Sequence, residues 1–377
     1  MKSLAEREKK HYNVPSVLAN KTGNKERNNM KKRLMALLLC GVLAVSMFAG
    51  CGSQMDKSAV VATDGTTDIT LGLANFATRF TQAQYDDFYV AYFGASVWDT
   101  DMYGYGTTME DDLKASVMES LYAMYGMKNH MADYGVEITS EDVAAISAAA
   151  ESFISSNSAE AIEALGADRE VVETYLELLT IQSRMYDEII KGADTNVSDE
   201  EAKTSAYSQV YVSKTSYQNE EGNSVTYTDE ERVALADTFA AFAADAKANG
   251  LKAAADTYGY TVTTGTYNAN SSVVAEVAEA LKAMTADGQV SGVIELENAY
   301  YVVQMDAVVD AEATETNRQS IISNRQSALY TEVVDGYIAE SEWKLKNNVW
   351  EEISFDNLFT SVLRETSTEE VEATEVQ

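Results

Sequence analysis

Imidazole and thiol chemistry have little to work with in this chain. Its 377 residues include two histidines and two cysteines, and His11 and Cys40 fall within the first fifty, leaving Cys51 and His130. No cysteine follows Cys51, so no disulfide and no Cys-Cys metal site can form beyond it. A His-paired metal site is equally out of reach. A Ser-His-Asp triad would have to use His130. That residue stands in K-N-H-M-A-D-Y-G, near an expected helix end, and no nucleophile-elbow sequence accompanies it. It reads as a capping or surface histidine. Carboxylates offer one spaced set. D-T-D-M-Y-G-Y-G-T-T-M-E puts Asp99 and Asp101 at positions 1 and 3, Gly104 at 6 and Glu110 at 12, the order of an EF-hand calcium loop. Tyr103 at position 5 and Gly106 at position 8 depart from that loop. Asp99, Asp101 and Glu110 therefore stay a candidate only, and no metal or other cofactor is assigned.

Cys51 gains meaning from what precedes it. Lys31, Lys32 and Arg33 form a basic cluster, Leu34 to Ala49 is apolar apart from Gly41 and Ser46, and Ala49-Gly50 closes the run with small residues. Basic start, apolar middle and small close describe an export signal. The apolar run is shorter than the ~20 residues needed to span a bilayer as a helix. F-A-G-C at 48 to 51 resembles a bacterial lipobox, with Phe48 where leucine is usual. The resemblance implies that the chain is cut before Cys51, that the thiol carries a diacylglycerol, and that the product sits on a membrane. Several acyl chains anchor firmly where one is marginal. Residues 1 to 29 are polar, hold the only proline (Pro15) and precede a normal signal start at Met30. They are set aside as an upstream start or a long leader.

Ten of the 28 Lys and Arg and three of the 60 Asp and Glu lie in residues 1–50, which leaves 18 basic against 57 acidic residues and a net charge near −39. Such a surface repels phosphate backbones, so nucleic acid is excluded as a partner. It keeps the exported part soluble and favours cationic clients. The length suffices for two lobes.

The elements that would position these residues follow from periodicity. A strand is expected near Asp68 to Leu73, and helical patterns then run to about 192. One helix carries Leu113, Val117, Leu121, Met124 and Met131 on a face. Another carries Val172, Tyr175, Leu176, Leu179, Tyr186 and Ile190, and a further helix starts near Ser140. After Asn196 the pattern changes. Ser198/Glu201 and Thr228/Glu231 have capping-box spacing. A-Y-S-Q-V-Y-V-S-K alternates as a strand; 229 to 258 is a long helix and a short one broken at Asn249-Gly250. Tyr260 to Tyr267 is a strand, Ser272 to Met284 a helix, and V-S-G-V-I-E-L and Y-Y-V-V-Q-M-D-A-V-V close as two strands. A long helix over about 312 to 346 returns. The end, T-S-T-E-E-V-E-A-T-E-V-Q, is acidic and reads as disordered.

The order β-α-α-β-α-β-β between helical segments resembles the PrsA/SurA-type foldases, extracytoplasmic chaperones with a parvulin-type (PpiC-type) prolyl isomerase domain. The local matches are V-S-D-E-E-A at 197, Y-S-Q-V-Y-V at 207, G-Q-V-S-G-V-I at 288 and A-Y-Y-V-V-Q-M at 299. The resemblance implies an α+β fold: a mostly helical, SurA-N-like chaperone lobe with an inserted parvulin-like domain. Its expected parts are leader and signal 1–50, tether 51–62, helical lobe 63–196, parvulin-like domain 197–310, C-terminal helical segment 311–363 and acidic tail 364–377. Gln209 and Tyr301 stand where the family has its two histidines, and the family's glycine-rich aromatic loop before the second strand has no counterpart. An amide and a phenol can hydrogen-bond but do not titrate near neutrality as an imidazole pair does. Peptidyl-prolyl isomerase activity is therefore left open.

Two sets of apolar residues complete the reading. Val277, Leu281 and Met284 are pocket candidates on the third helix of the domain. Residues 76 to 105 hold ten aromatics, and six of the nine methionines after the tether lie between 102 and 131. Rigid rings and pliable thioethers suit a surface that grips many unfolded chains. Phe88, Tyr89, Tyr92, Phe93, Met118 and Met124 are the client-binding candidates. The expected function is a membrane-anchored chaperone or foldase for unfolded exported polypeptides. The alternative is a lipid-anchored solute- or peptide-binding lipoprotein without catalysis.

Overall fold

The computed structural model describes residues 42–46 and 55–362. Cys51, most of the leader and the acidic tail lie outside the described residues. The chain divides into two compact units: residues 1–188 with 333–377, and residues 189–332.

The first unit opens with strands β1 (Val42–Ser46), β2 (Val60–Thr63) and β3 (Asp68–Thr70). Helices α1 (Leu71–Phe93), α2 (Met109–Asn129), α3 (Ser140–Ser156), α4 (Ala159–Ala164) and α5 (Arg169–Ile189) follow. The expected strand at 68 to 73 ends early because Thr70 caps α1, its hydroxyl accepting from the Leu73 amide. Thr108 and Thr139 start α2 and α3 with complete capping boxes to Asp111 and Asp142. Gly94, at φ 87°, ends α1. Phe76, Phe80, Ile146, Phe153, Leu165, Val172 and Leu176 form the core between α1, α3 and α5. Phe76 and Phe80 meet Phe153 edge-on, with ring centroids 5.8 Å apart in both pairs.

The second unit contains α6 (Asp199–Ala202), β4 (Ser205–Ser213), β5 (Ser216–Gln218), β6 (Ser224–Thr226), α7 (Asp229–Asn249), α8 (Leu251–Tyr258), β7 (Val262–Tyr267), α9 (Ala275–Ala283), β8 (Ile294–Glu295), β9 (Ala299–Ala307) and the start of α10 (Ala311–Glu340). The sheet order is β7-β4-β9-β8, antiparallel throughout. The fold is α+β, and the expected β-α-α-β-α-β-β order is present with one addition, a hairpin of β5 and β6. Phe239, Phe242, Ala246 and Leu251 of α7 and α8 pack on one sheet face with Val210, Tyr300 and Val302. Val277, Leu281 and Met284 pack on the other with Tyr207, Val303 and Met305. The α7–α8 break at Gly250 (φ 89°) leaves an orphan amide at Leu251, which donates to Gln304 Oε1 of β9 at 2.9 Å.

Residues 311–332 of α10 belong to the second unit and 333–340 to the first. Helix α10 stops at Glu340, short of the expected 346, and Glu342 takes a positive φ of 45°. The chain then adds β10 (Lys344–Leu345), α11 (Asn347–Trp350) and β11 (Leu358–Val362) to the first unit. Strand β10 joins β2 and β3, while β11 pairs with β1. The expected C-terminal helical segment is thus helical only in its first part. No described helix is long and apolar enough to cross a membrane.

Candidate functional site

In the first unit the aromatics of 76 to 105 separate into two populations. Phe76, Phe80 and Trp98 are buried, whereas Phe88, Tyr92, Phe93, Tyr103 and Tyr105 are each more than half exposed. Phe88, Tyr92 and Phe93 are contiguous along the last two turns of α1, while Tyr103 and Tyr105 stack on each other in the loop that follows. Phe88 lies 4.6 Å from Tyr92 and 5.7 Å from Tyr89, and Tyr89 lies 6.1 Å from Phe93. Half-buried Tyr89 meets the buried Trp98 ring edge-on at 5.5 Å. Burial and the nearby Tyr103 and Tyr85 hydroxyls raise the Tyr89 phenol above its ordinary pKa. Met118 and Met124 do not join this surface. Both are 4 % exposed and sit in the core, because the apolar face of α2 is turned inward. They are removed from the client-binding candidates.

A buried polar clamp supports the surface. Arg79, Gln82 and Asp86 recur on one side of α1 and are all buried. Arg79 donates to the Ser354 and Asn357 carbonyls at 2.8 and 3.0 Å, and Gln82 to Asn357 at 3.1 Å. Asp86 accepts from Trp98 Nε1 at 2.6 Å, from the Phe359 amide at 2.7 Å and from Gln82. Burial raises the Asp86 carboxyl against the pull of these donors and of Arg79, and burial lowers the Arg79 guanidinium to about 10. The sequence signal for the clamp was three polar residues at helical spacing in an apolar helix, which the aromatic count passed over.

The calcium-loop candidates are not brought together. Asp101 turns its carboxylate back onto the Tyr105 and Gly106 amides, at 3.0 and 2.8 Å. Glu110 engages Lys114 and the Phe355 amide. Among the described residues no cluster of metal-ligating side chains occurs. His130 is the C-cap of α2, 2.8 Å from Asp133 and stacked on Tyr337 at 4.1 Å.

In the second unit Gln209 lies opposite Val303 and Tyr301 opposite Tyr211, so all four share one sheet face. Gln209 and Tyr301 are diagonal neighbours, and no hydrogen bond joins their side chains. Tyr301 instead meets the Tyr211 ring edge-on at 5.1 Å, and Tyr211 is half exposed. Burial, with Tyr211 and Tyr207 close by, raises the Tyr301 phenol. Val277, Leu281 and Met284 are buried against Tyr207, Val303 and Met305. They are part of the packed layer on this face. The open part is the end that carries Gln209, Tyr211 and Tyr301. Gly265 of β7 lets the Tyr207 ring lie across it: a Cβ there would meet the ring at 2.9 Å. Only Gly259, Tyr260 and Thr261 join α8 to β7, which leaves no room for a glycine-rich loop before that strand. A separate cavity of about 440 Å³, lined by Thr204, Thr266, Asn268, Asp310 and Thr316, opens at the start of α10.

This sheet, with two helices on one face and one on the other, coincides with a stretch that matches a known family. Residues 197–317 match the model of the PPIC-type PPIASE domain. That segment is similar to a PPIC-type domain. Among solved structures, the chain is similar to a foldase protein (PrsA) from Lactococcus lactis, at 15% identity and a TM-score of 0.33, over 79% of this chain and 100% of that one. It is also similar to a peptidylprolyl isomerase (PrsA) from Bacillus anthracis, at 17% identity and a TM-score of 0.26, over 60% and 99%. A foldase protein PrsA from Streptococcus pneumoniae matches at 19% identity and a TM-score of 0.24, over 63% and 87%. A comparison with curated proteins returned no match. Within this segment, Gln209 and Tyr301 place an amide and a phenol diagonally on one sheet face, with no hydrogen bond between their side chains. The chemistry available there is stacking by Tyr211 and Tyr301 and hydrogen bonding by the Gln209 amide.

Proposed function

We propose that the protein is a membrane-anchored extracytoplasmic chaperone of the PrsA type, whose first unit holds unfolded exported polypeptides through the aromatic end of α1. One observation carries this reading: the three exposed rings of Phe88, Tyr92 and Phe93 gathered at the end of α1, in the chain that also carries the PPIC-type match. An exposed aromatic cluster of this kind is rare on a protein without a partner. The acidic surface would keep the complex soluble and favour basic clients. The lipobox-like F-A-G-C supports anchoring through Cys51 on the extracytoplasmic face.

In this reading the PPIC-type domain acts first as a binding module. Rotation about an amide faces a barrier of ~18–20 kcal/mol. A site lowers that barrier by favouring the twisted amide in a dry, shaped pocket. Here α9 packs on part of the face, Tyr301 is partly buried against that layer, and the Tyr211 ring is half exposed. Tyr211 and Tyr301 offer flat surfaces for a proline-containing segment, in the manner of other aromatic recognition of such segments.

The test pairs two assays on one preparation: suppression of aggregation of a reduced, unfolded client, and isomerisation of an Ala-Pro peptide. Replacing Phe88, Tyr92 and Phe93 together by Ser is expected to reduce suppression about tenfold while leaving the melting temperature nearly unchanged, since exposed positions cost little. Unchanged suppression in the triple variant rejects the aromatic surface as the holding site. Absence of both activities in the parent shifts support to the solute-binding reading, to which the polar cavity beside α10 would then belong.

A further inference from the structure

We infer that strand β11 is an edge for β-strand addition, kept for an extended apolar segment of a client and filled in the uncut chain by the export signal itself. This rests on the chaperone reading and on removal of the signal before Cys51. Strand β1 is part of the apolar run that the sequence assigns to the signal. It pairs antiparallel with β11 over five residues, Val42 opposite Val362 and Ser46 opposite Leu358. Once the chain is cut before Cys51, β11 loses this neighbour. An unpaired edge strand is a template for another chain, and addition of a strand to such an edge is a general mode of peptide recognition.

Three features prepare β11 for that role. Its far side is already committed: the Phe359 amide donates to Asp86 and the Asn357 carbonyl accepts from Arg79 and Gln82. Amides alternate along a strand, so with Phe359 turned to α1 the exposed Thr360 presents its amide to the opposite edge, where β1 lies. The Phe359 ring is buried in the core and under the Arg79 guanidinium at 5.0 Å, which fixes the strand whether or not β1 is present. The strand seated there, V-L-A-V-S, also displays the preferred chemistry: extended, apolar and uncharged. Backbone bonding supplies affinity with little demand on sequence, as a chaperone edge requires.

The experiment uses the lipidated chain purified from membranes in detergent, its N-terminus fixed by mass spectrometry, and the uncut Cys51→Ala chain beside it. The probe is a labelled peptide of residues 41–48, G-V-L-A-V-S-M-F. A second peptide carries methyl groups on the amide nitrogens of its Ala44 and Ser46 equivalents, which removes donors and leaves side chains unchanged. The processed chain is expected to bind the first peptide, and to bind the methylated one at least about tenfold more weakly, the loss of two ordinary hydrogen bonds. The uncut chain and Thr360→Pro, which lacks the edge amide, should each bind weakly. Equal binding of both peptides, or a processed chain that retains residues 42–46, overturns the inference. Aggregation suppression on the same samples separates the two readings. Suppression without peptide binding sinks the edge alone; methylation-sensitive binding without suppression supports the edge and sinks the chaperone reading.

Discussion

At the end of α1 the exposed rings stand one turn beyond a buried carboxylate that gathers an indole, an amide side chain and a backbone amide. On the sheet of the second unit the half-exposed ring of Tyr211 meets the partly buried Tyr301, which packs against a layer of Val277, Leu281, Met284, Val303 and Met305. The first surface adds hydrogen bonds and charge to an apolar cluster of Val97, Trp98, Met109 and Phe355, whereas the second rests on apolar packing. The difference has an energetic consequence. Hydrogen bonds to a buried carboxylate fix direction and fail together when the acceptor is lost. A packed layer tolerates swaps of similar volume and fails through overpacking or cavities. The aromatic end of α1 should therefore be sensitive to single polar substitutions, and the sheet surface to changes of volume.

Asp86→Ala is the most severe way to break this contrast. It leaves the Trp98 indole, the Phe359 amide and the buried Arg79 without their acceptor or countercharge. Removing one partner of such a buried set costs about 3–5 kcal/mol. Unfolding of the first unit should move to much lower denaturant, with Trp98 fluorescence as its probe, while the second unit keeps its own transition. A loss below about 1 kcal/mol, or equal loss in both units, would show that packing and not the clamp supports α1.

Gly265→Ala is the corresponding test of the second unit. The added methyl meets the Tyr207 ring at 2.9 Å, and that ring is wedged against Val277 and Met305, so it has little room to move. Overpacking of this kind costs about 1–3 kcal/mol. Exchange of the Tyr207 and Met305 amides should rise, and client holding by the first unit should stay as it was. A neutral substitution would mean that the sheet face yields more readily than its buried layer implies.

The two surfaces were unequally legible in the sequence. Local signals served well: the Thr228–Glu231 capping box starts α7, the Asn249-Gly250 break separates α7 from α8, and Ser140 opens α3. Alternation and turn residues sufficed for placing Gln209 and Tyr301 on strands, while the α+β class followed from the resemblance that the element order carries. The clamp was not legible, because Asp86 meets Phe359 across 273 residues and nothing local at either end marks the partner. For the same reason β11 was absorbed into an expected helical segment, and the β5–β6 hairpin passed as loop. Met118 and Met124 show the limit of composition: residue type suggested an adaptable surface, but only packing decided which side of α2 faced water. Gln209 and Tyr301 were found by their positions in a resemblance, whereas Tyr211, which sets the environment of Tyr301, was visible only once β4 and β9 were in register.

The smallest expected effect concerns pH. Any isomerisation by the PPIC-type domain should be flat between about pH 5 and 8, because an amide does not titrate and the Tyr301 phenol is pushed above its ordinary value near 10. Putting imidazoles at both positions, Gln209→His with Tyr301→His, should introduce a dependence centred near 6.5, where an unperturbed histidine titrates. The rate on an Ala-Pro peptide, followed across that range for parent and double variant, reads both expectations at once. A bell or a step in the parent would mean that a titrating group outside Gln209 and Tyr301 takes part, and would place the chemistry away from this face. A parent rate equal to buffer with a flat double variant would argue that the open end of the sheet, not the missing imidazoles, limits catalysis. The second unit would then work by stacking alone, as proposed for the first.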